Sequence, residues 1–168
     1  MNLNFCPKCG CKILQWDGEK KWNCSGCDFV LFHNVATAVA VLIKCKDEIL
    51  FTRRNHEPQK GKLDLAGGFS DPKESAETTC KREIFEELNL KIEESDLKYL
   101  GSLPNVYVYE NIPYNTLDLF YSYELKEKFE IKIEKSEISE AVWIKISELN
   151  LEDIAFESQK IFFSEYRF

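Results

Sequence analysis

The apolar positions of the chain form short, separate runs with polar segments between them, a pattern that predicts strands joined by turns. The run VATAVAVLI at residues 35–43 is rich in β-branched side chains, which is typical of a buried strand. A polar turn at residues 46–48 and a returning strand at residues 49–53 complete a predicted hairpin. The remaining predictions of this kind are strands at residues 97–103, 116–125 and 141–146 and a loop or hairpin at residues 107–114.

Two segments instead carry apolar residues at helical spacing. In residues 74–88, Ile84 and Leu88 lie four positions apart, so this helix has an apolar side that docks on the rest of the protein. A second helix is predicted at residues 154–166, with Ile154 among its apolar positions. Strands with two interspersed helices indicate the α/β class, with a mixed sheet lying between helices.

The start of the first helix has two candidate capping residues. Asp71 is followed by Pro72 and, three positions on, by Glu74, which is typical of a capped helix with proline at its first position. Ser75 is the alternative cap and would begin the helix slightly later. The sequence leaves both starts open.

The same helix carries three glutamates on one side. At about 100° per residue, Glu83, Glu86 and Glu87 fall within an arc of about 100°. Such a face is usually solvated surface, but crowded carboxylates repel one another, and a bound cation relieves that repulsion. Carboxylate oxygens are hard ligands that suit Mg²⁺ or Mn²⁺. Arg82 lies beside the cluster, at the i,i+4 spacing that lets it orient Glu86.

Residues 1–33 carry two CxxC pairs and are predicted to form a separate module. Four thiolates at about 2.3 Å complete a tetrahedron around Zn²⁺, and the paired spacing is close to that of a zinc ribbon. The predicted zinc ligands are Cys6, Cys9, Cys24 and Cys27. The alternative interpretation is a pair of disulfides or a redox CxxC.

The predicted zinc is structural. A segment this short cannot bury a sufficient apolar core, so the metal supplies free energy of folding, and four sulfur ligands leave no open coordination position. Many zinc ribbons bind nucleic acid, but the lysines of this module are nearly balanced by Asp17, Glu19 and Asp28. Nucleic acid is therefore not an expected partner.

The composition indicates one main domain with a small appendage. The chain has 168 residues, 44% of them hydrophobic, and we predict domains at residues 1–33 and 34–168. The formal net charge of −7 also argues against nucleic-acid binding. No apolar run approaches the ~20 residues of a membrane span, and no signal-peptide pattern is present. We therefore expect a cytoplasmic protein with no membrane partner, for which a homodimer is compatible with the sequence.

The stretch from Gly68 to Leu90 resembles the Nudix box. That box runs Gly, five residues, Glu, seven residues, Arg-Glu, an aliphatic residue, any residue, Glu-Glu, any residue, Gly and an aliphatic residue. The residues that fill it are Gly68, Glu74, Arg82, Glu83, Ile84, Glu86, Glu87 and Leu90. Asn89 replaces the final glycine, and asparagine is the residue next best able to end a helix in the left-handed conformation.

The resemblance implies a Nudix-type α/β/α sandwich, preceded here by the zinc ribbon, and hydrolysis of a nucleoside diphosphate linked to another group X. The implied Mg²⁺ or Mn²⁺ ligands are Glu83, Glu86, Glu87 and a backbone oxygen at Gly67. Glu74 either joins them through a bound water or only caps its helix. Arg82 is expected to orient a glutamate rather than to touch substrate.

Three further positions are candidates outside the box. Glu137 precedes the last predicted strand, where several Nudix enzymes carry a glutamate that binds metal or acts as base; the alternative is an exposed loop carboxylate. Arg53 and Arg54 end the second strand near the expected cleft, where one could clamp a phosphate and the other lie at the surface. The tyrosines that could stack on a base, or only pack on one another, are Tyr107, Tyr109 and Tyr114.

A zinc ribbon ahead of a Nudix domain resembles the NADH pyrophosphatase group. The Ser-Gln-Pro-Trp-Pro-Phe-Pro signature of that group is replaced here by SLPNVYVYENIPY at residues 102–114. Group X therefore stays open among ADP-ribose, a dinucleotide, a nucleotide sugar and a nucleoside triphosphate. The main alternative is a catalytically idle Nudix fold that acts as a zinc-ribbon nucleic-acid or nucleotide-sensing module. An isomerase on the same fold would use Cys80, which has no evident partner.

Overall fold

The computed structural model describes residues 3–166, which form two compact units that divide between Val35 and Ala36. The first unit is a three-stranded antiparallel sheet. Its strands are β1 (Leu14–Trp16), β2 (Lys21–Cys24) and β3 (Val30–Phe32). Among its described residues, the buried core comprises Cys6, Leu14, Trp22 and Cys24. A core this small needs a further constraint to hold a fold.

Within its described residues, the second unit is built on a six-stranded mixed sheet with two α-helices. Its strands are β4 (Ala36–Cys45), β5 (Glu48–Arg54), β6 (Leu63–Asp64), β7 (Lys98–Tyr109), β8 (Ile112–Leu125) and β9 (Ile138–Lys145). Its helices are α1 (Ala76–Leu88) and α2 (Glu157–Glu165). The strand order is β6-β5-β4-β8-β7, with β9 paired to β5. Since β4 and β8 run parallel and the other neighbours antiparallel, the predicted mixed sheet is confirmed.

The two helices cover opposite faces of this sheet, because successive side chains of a strand point to opposite sides. Val39 and Val41 of β4 pack in one core with Ile84 of α1. The intervening Ala40 packs in a second core with Phe162 of α2. This arrangement confirms the predicted α/β/α sandwich.

Helix α1 begins after Ser75, whose hydroxyl accepts a hydrogen bond from the Thr78 amide at 3.1 Å. The alternative start at Asp71 is wrong, because Lys73 adopts a left-handed φ of 78° that interrupts a helix there. At the other end, Asn89 is left-handed, with φ 53° and ψ 29°. Asparagine therefore ends the helix in the conformation expected of the glycine that it replaces.

Strands β7 and β8 form a hairpin that is longer than the sequence predicted. They enclose a turn at Glu110 and Asn111, which have φ values of 50° and 62°, as a type I′ turn requires. Residues 107–114 are therefore the tip of a hairpin. Pro104 interrupts the apolar pattern of β7, but β7 lies at the edge of the sheet, where a proline is tolerated.

The C-terminal boundaries also differ from the prediction. Strand β9 begins at Ile138, three residues early, and α2 begins at Glu157 instead of Ile154. Ile154 is 1% exposed and forms a backbone bridge to Leu63, so burial and backbone pairing hold this residue in an extended segment before the helix begins. No helix among residues 3–166 is long and apolar enough to cross a membrane.

Candidate active site

A cavity of about 410 Å³ opens in the second unit. Its acidic lining residues are Asp64, Asp71, Glu83, Glu86, Glu87, Asp118 and Glu137. Arg54 and Arg82 line the same space, as do Gly67 and Gly68. The fold thus brings together all of the predicted site residues of this unit except Glu74 and Arg53, which lie outside the lining.

Glu87 is the most enclosed of the box glutamates (Glu83, Glu86 and Glu87), with 8% of its surface exposed. One of its oxygens accepts a hydrogen bond from the Gly67 amide at 3.2 Å. Burial raises the pKa of Glu87 well above its ordinary value, and the charges of Asp64 and Glu83 raise it further. A cation next to this carboxylate would stabilise its charged form.

Arg82 ties the other two box glutamates together. Its Nη1 donates to Glu83 Oε1 at 2.8 Å and to Glu86 Oε2 at 3.1 Å. The Glu83 side chain is 12% exposed and the Glu86 side chain 56%, so the cluster runs from the interior out to solvent. Burial raises the pKa of Glu83, although the neighbouring Arg82 acts to lower it.

Glu74 holds the same arginine from the other side. Arg82 donates from Nε to Glu74 Oε1 at 2.9 Å and from Nη2 to Oε2 at 3.1 Å. The Thr79 hydroxyl and the Asp71 amide also donate to Oε2, at 3.0 and 3.2 Å. These hydrogen bonds, the one from Arg82 first, lower the pKa of Glu74 to about 2. Arg82 Nη2 also reaches the Phe69 carbonyl at 3.0 Å, so its contacts favour an orienting role.

Two glycines allow the chain to pass closely beneath this cluster. Gly67 has a φ of 149°, and a Cβ there would lie 2.1 Å from the Val39 carbonyl oxygen. A Cβ on Gly68 would lie 2.4 Å from Glu83 Oε1. The Gly68 carbonyl accepts a hydrogen bond from Val39, whereas no described residue donates to the Gly67 carbonyl. The Gly67 oxygen is therefore available as a ligand.

The two arginines of β5 go to different places. Arg54 lines the cavity, where Nη1 pairs with Asp64 at 2.8 Å and the guanidinium lies 4.9 Å from the centre of the Phe156 ring. Arg53 instead pairs with Glu140 at 2.9 Å, outside the lining. Adjacent strand residues point to opposite faces, so only one of such a pair can reach a cleft.

Glu137 lies where β9 begins, on the cavity wall. The backbone amide of Asn55 donates to the Glu137 carbonyl at 2.9 Å. The next residue, Ile138, is 2% exposed. Its charge contributes to the raised pKa values of Glu83 and Glu87. The fold therefore places the Glu137 carboxylate within the electrostatic field of the box glutamates.

A polar cluster at Asp118 was not predicted from the sequence. Asp118 is 7% exposed and accepts hydrogen bonds from Thr116 at 2.8 Å, Asn105 at 2.9 Å and Ser158 at 2.6 Å. Polar residues at alternate positions of an apolar strand, here Thr116, Asp118 and Ser122, were the available signal.

The aromatic prediction applies to one tyrosine of three. Tyr107 lines the cavity with its ring centre 5.3 Å from that of Phe69 and 5.8 Å from that of Phe156. Tyr109 and Tyr114 are exposed and lie outside the lining.

In the first unit, Cys6, Cys9, Cys24 and Cys27 place their sulfurs within 4.8 Å of one another. The Cys6–Cys27 and Cys9–Cys24 sulfur distances are both 3.7 Å. Sulfurs at about 2.3 Å from a tetrahedral Zn²⁺ would lie about 3.8 Å apart, so the cluster fits zinc. Burial acts to raise the pKa of Cys6, but hydrogen bonds from the Cys9 and Lys8 amides outweigh it and lower that pKa to about 7.

The carboxylates fit a hard cation by chemistry rather than by a preformed geometry. Within residues 3–166, the four cysteines are the one group whose ligand atoms converge in this way. The oxygens of Glu83 and Glu86 are held instead by Arg82, and that of Glu87 by Gly67. Side-chain rotation would have to accompany binding of Mg²⁺ or Mn²⁺.

The chain has similarities over most of its length to proteins of known family. Residues 33–164 match the profile described as the NUDIX domain. Two relatives share the name NAD-capped RNA hydrolase NudC. The protein from Mannheimia succiniciproducens is 30% identical over 150 residues, covering 86% of this chain and 53% of the relative. One from Haemophilus influenzae is 29% identical over 141 residues, covering 83% and 50%. The chain thus spans about half the length of these curated relatives.

Solved structures share the fold. A NUDIX hydrolase from Nitrosomonas europaea superposes with a TM-score of 0.66 at 22% identity, covering 97% of this chain and 92% of the other. A MutT NUDIX hydrolase from Burkholderia pseudomallei gives 0.68 at 19% identity, covering 80% and 99%. The profile covers well over half of the chain and includes the box helix and the glutamates that it carries to the cavity, and on that ground the chain belongs to the NUDIX domain family.

Proposed function

We propose that this chain hydrolyses a phosphoanhydride bond in a nucleoside diphosphate linked to a group X, with Mg²⁺ or Mn²⁺ as cofactor. The observation that carries the proposal is the convergence of Glu83, Glu86, Glu87 and Glu137 on one cavity. Burial and mutual repulsion raise the pKa values of Glu83 and Glu87, so ionising them without a cation is costly.

The metal ligands in this proposal are Glu83, Glu86, Glu87 and the carbonyl oxygen of Gly67. When bound, the cation supplies neutralisation of the diphosphate charge and a more acidic water. Arg82 orients Glu83 and Glu86, and Glu74 fixes Arg82. Arg54 contributes positive charge to the cavity wall, where it also pairs with Asp64.

The reaction consumes one water. Its oxygen forms a bond to a phosphorus atom, and the bridging P–O bond breaks with its electron pair leaving on the departing phosphate. One proton of the water goes to a carboxylate, for which Glu137 is our candidate, and the other stays with the oxygen that joins the phosphate. The alternative role of Glu137 is as a further metal ligand. The products are a nucleoside monophosphate and phosphorylated X.

The substrate class is the open part of the proposal. The net charge of −7 argued against nucleic acid, but relatives named for hydrolysis of NAD-capped RNA argue for testing it. A panel of candidate substrates tests the proposal, and it contains ADP-ribose, NADH, NAD-capped RNA, a nucleotide sugar and a nucleoside triphosphate. Each is incubated with Mg²⁺, with Mn²⁺ or with neither, and the nucleoside monophosphate is measured.

Metal-dependent release from one member of the panel supports the proposal. Tight binding of a nucleotide without turnover of any member would favour the catalytically idle sensing module instead. Metal-dependent activity on NAD-capped RNA would also make nucleic acid a partner, contrary to the charge argument.

We also propose that the four cysteines bind one structural Zn²⁺, which requires reduced thiols and is consistent with a cytoplasmic location. A homodimer stays a prediction, to be checked by light scattering.

A further inference from the structure

The polar cluster at Asp118 lies on the side of the sheet that α2 covers. Ser158 of α2 donates to Asp118 Oδ2 at 2.6 Å, and Thr116 donates to Oδ1 at 2.8 Å. Ser158 is fully buried and Thr116 is 2% exposed. The roles given above to the box glutamates and Glu137 do not use this built network.

The floor of the cavity beside this cluster is made of small side chains. Ala38 of β4 lies opposite Asp118 of β8 and is bridged on its other side to Phe69. Phe69 follows Gly68, which leads to the box helix. At about 4.8 Å per strand, Asp118 therefore lies about 10 Å across the sheet from the Gly68 segment. Ala40 also lines the cavity, so short side chains leave this space open.

Aromatic rings border the same space. Tyr107 lies between Phe69 and Phe156, and all three line the cavity. Phe69 has 41% of its surface exposed. A planar base can stack on the faces of such rings.

Asn105 offers a hydrogen-bond acceptor to this space. Its Nδ2 donates to Asp118 Oδ2 at 2.9 Å, and a carboxylate can only accept. The amide oxygen must therefore face the other way, and no described residue donates to it. A free asparagine amide could rotate to offer either its NH₂ donor or its oxygen acceptor to a ligand. Because Asp118 binds the NH₂ group, Asn105 offers its oxygen, which is an acceptor.

We propose that this end of the cavity is a base-binding subsite that selects an exocyclic amino group, as in adenine or cytosine, over a carbonyl, as in hypoxanthine or uracil. Asn105 Oδ1 accepts from the amino group, and Asp118 is a positioning residue that fixes the amide. The inference deepens the proposed function, on which it rests for the place of the diphosphate.

The first test needs no turnover. The dissociation constants of AMP, IMP and purine ribonucleoside monophosphate, which lacks the amino group, are measured by calorimetry on the full chain. One hydrogen bond to a correctly placed donor corresponds to about tenfold in affinity. We expect AMP to bind about tenfold more tightly than either analogue. Equal binding of AMP and the analogue without the amino group would overturn the subsite.

The second test separates positioning from folding. In Asp118→Asn the two amides can pair in either orientation, so we expect the AMP-to-IMP ratio to fall from about tenfold to below about twofold. Ser158→Ala is the matched control, because it removes a bond to the same carboxylate oxygen and should keep the ratio. An unchanged ratio in Asp118→Asn would contradict the positioning role of Asp118. If that variant does not fold, the affinities of wild-type protein for the three nucleotides still test the subsite.

The same comparison in kcat/KM, with adenosine and inosine forms of the substrate, distinguishes the two proposals. Hydrolysis without base preference would contradict the base-binding subsite and support the proposed function. If the protein prefers AMP in binding but hydrolyses no member of the panel, the subsite is supported and the proposed function is contradicted.

Discussion

The two candidate metal centres of this chain are prepared in opposite ways. In the first unit, four sulfurs already lie within 4.8 Å of one another around a core of few residues. In the second unit, the carboxylates line a well-packed sandwich, but an arginine and a backbone amide hold their oxygens. A metal that builds a fold needs converging ligands, whereas a metal that serves a reaction can rely on a scaffold that stands without it.

Removing zinc should give the largest effect and should be confined to the first unit. Structural zinc contributes about 10 kcal/mol or more to the folding of small modules, so we expect Cys24→Ser to unfold residues 3–35 while the second unit keeps its thermal transition. Cys11→Ser, outside the cluster, is the control and should retain one zinc per chain. Tryptophan fluorescence and zinc content measure both. Loss of the second transition in Cys24→Ser would mean that the units are not independent.

Glu86→Gln should affect the reaction without affecting the fold. Removing one metal ligand should lower turnover about 10³-fold, which corresponds to about 4 kcal/mol. Glu93→Gln is the matched control, because Glu93 is exposed, pairs with Lys81 and lies outside the cavity. Turnover against metal concentration and the melting temperature are measured for both. Wild-type turnover in Glu86→Gln would rule out the assignment of this ligand.

Gly67→Ala should destabilise the second unit by a smaller amount. The new Cβ would lie 2.1 Å from the Val39 carbonyl oxygen at a φ of 149°, so the backbone would have to shift. A strained residue of this kind costs about 1–3 kcal/mol. Gly101→Ala is the control, since a Cβ there meets no atom within 4 Å. Urea midpoints compare them, and equal midpoints would contradict the close approach.

Glu74→Gln should give the smallest effect, and one that depends on pH. The folded-state pKa of about 2 lies below the ordinary value of 4.5, so the charged form of Glu74 stabilises the fold above pH 4.5. That contribution is lost as the pH falls through about 2. The difference in melting temperature between wild type and Glu74→Gln should therefore shrink between pH 4.5 and 2. A difference that stays constant over that range would show that Arg82 is held by other contacts.

Local patterns predicted the parts of this molecule that local interactions determine. The helical spacing of Ile84 and Leu88 marked the docked face of α1, and both residues are fully buried. The cysteine spacing identified the sulfur cluster because each CxxC is one turn. The late start of α2 was missed, because the backbone bridge between Ile154 and Leu63 joins distant parts of the chain.

The Asp118 cluster could not be predicted from local sequence patterns. Its donors Asn105 and Ser158 lie 13 and 40 positions away, so only the assembled sheet and α2 bring them together. The separation of Arg53 from Arg54 likewise depends on strand orientation, and the pairing of β5 with β9 shifts register between these two residues.

Asn89 carries a lesson for recognising related chains. A search that insists on glycine at this position of the box would discard the sequence, although the peptide there adopts the conformation that glycine would supply. What the motif requires at its end is a permitted pair of torsion angles, and two kinds of amino acid can meet that requirement.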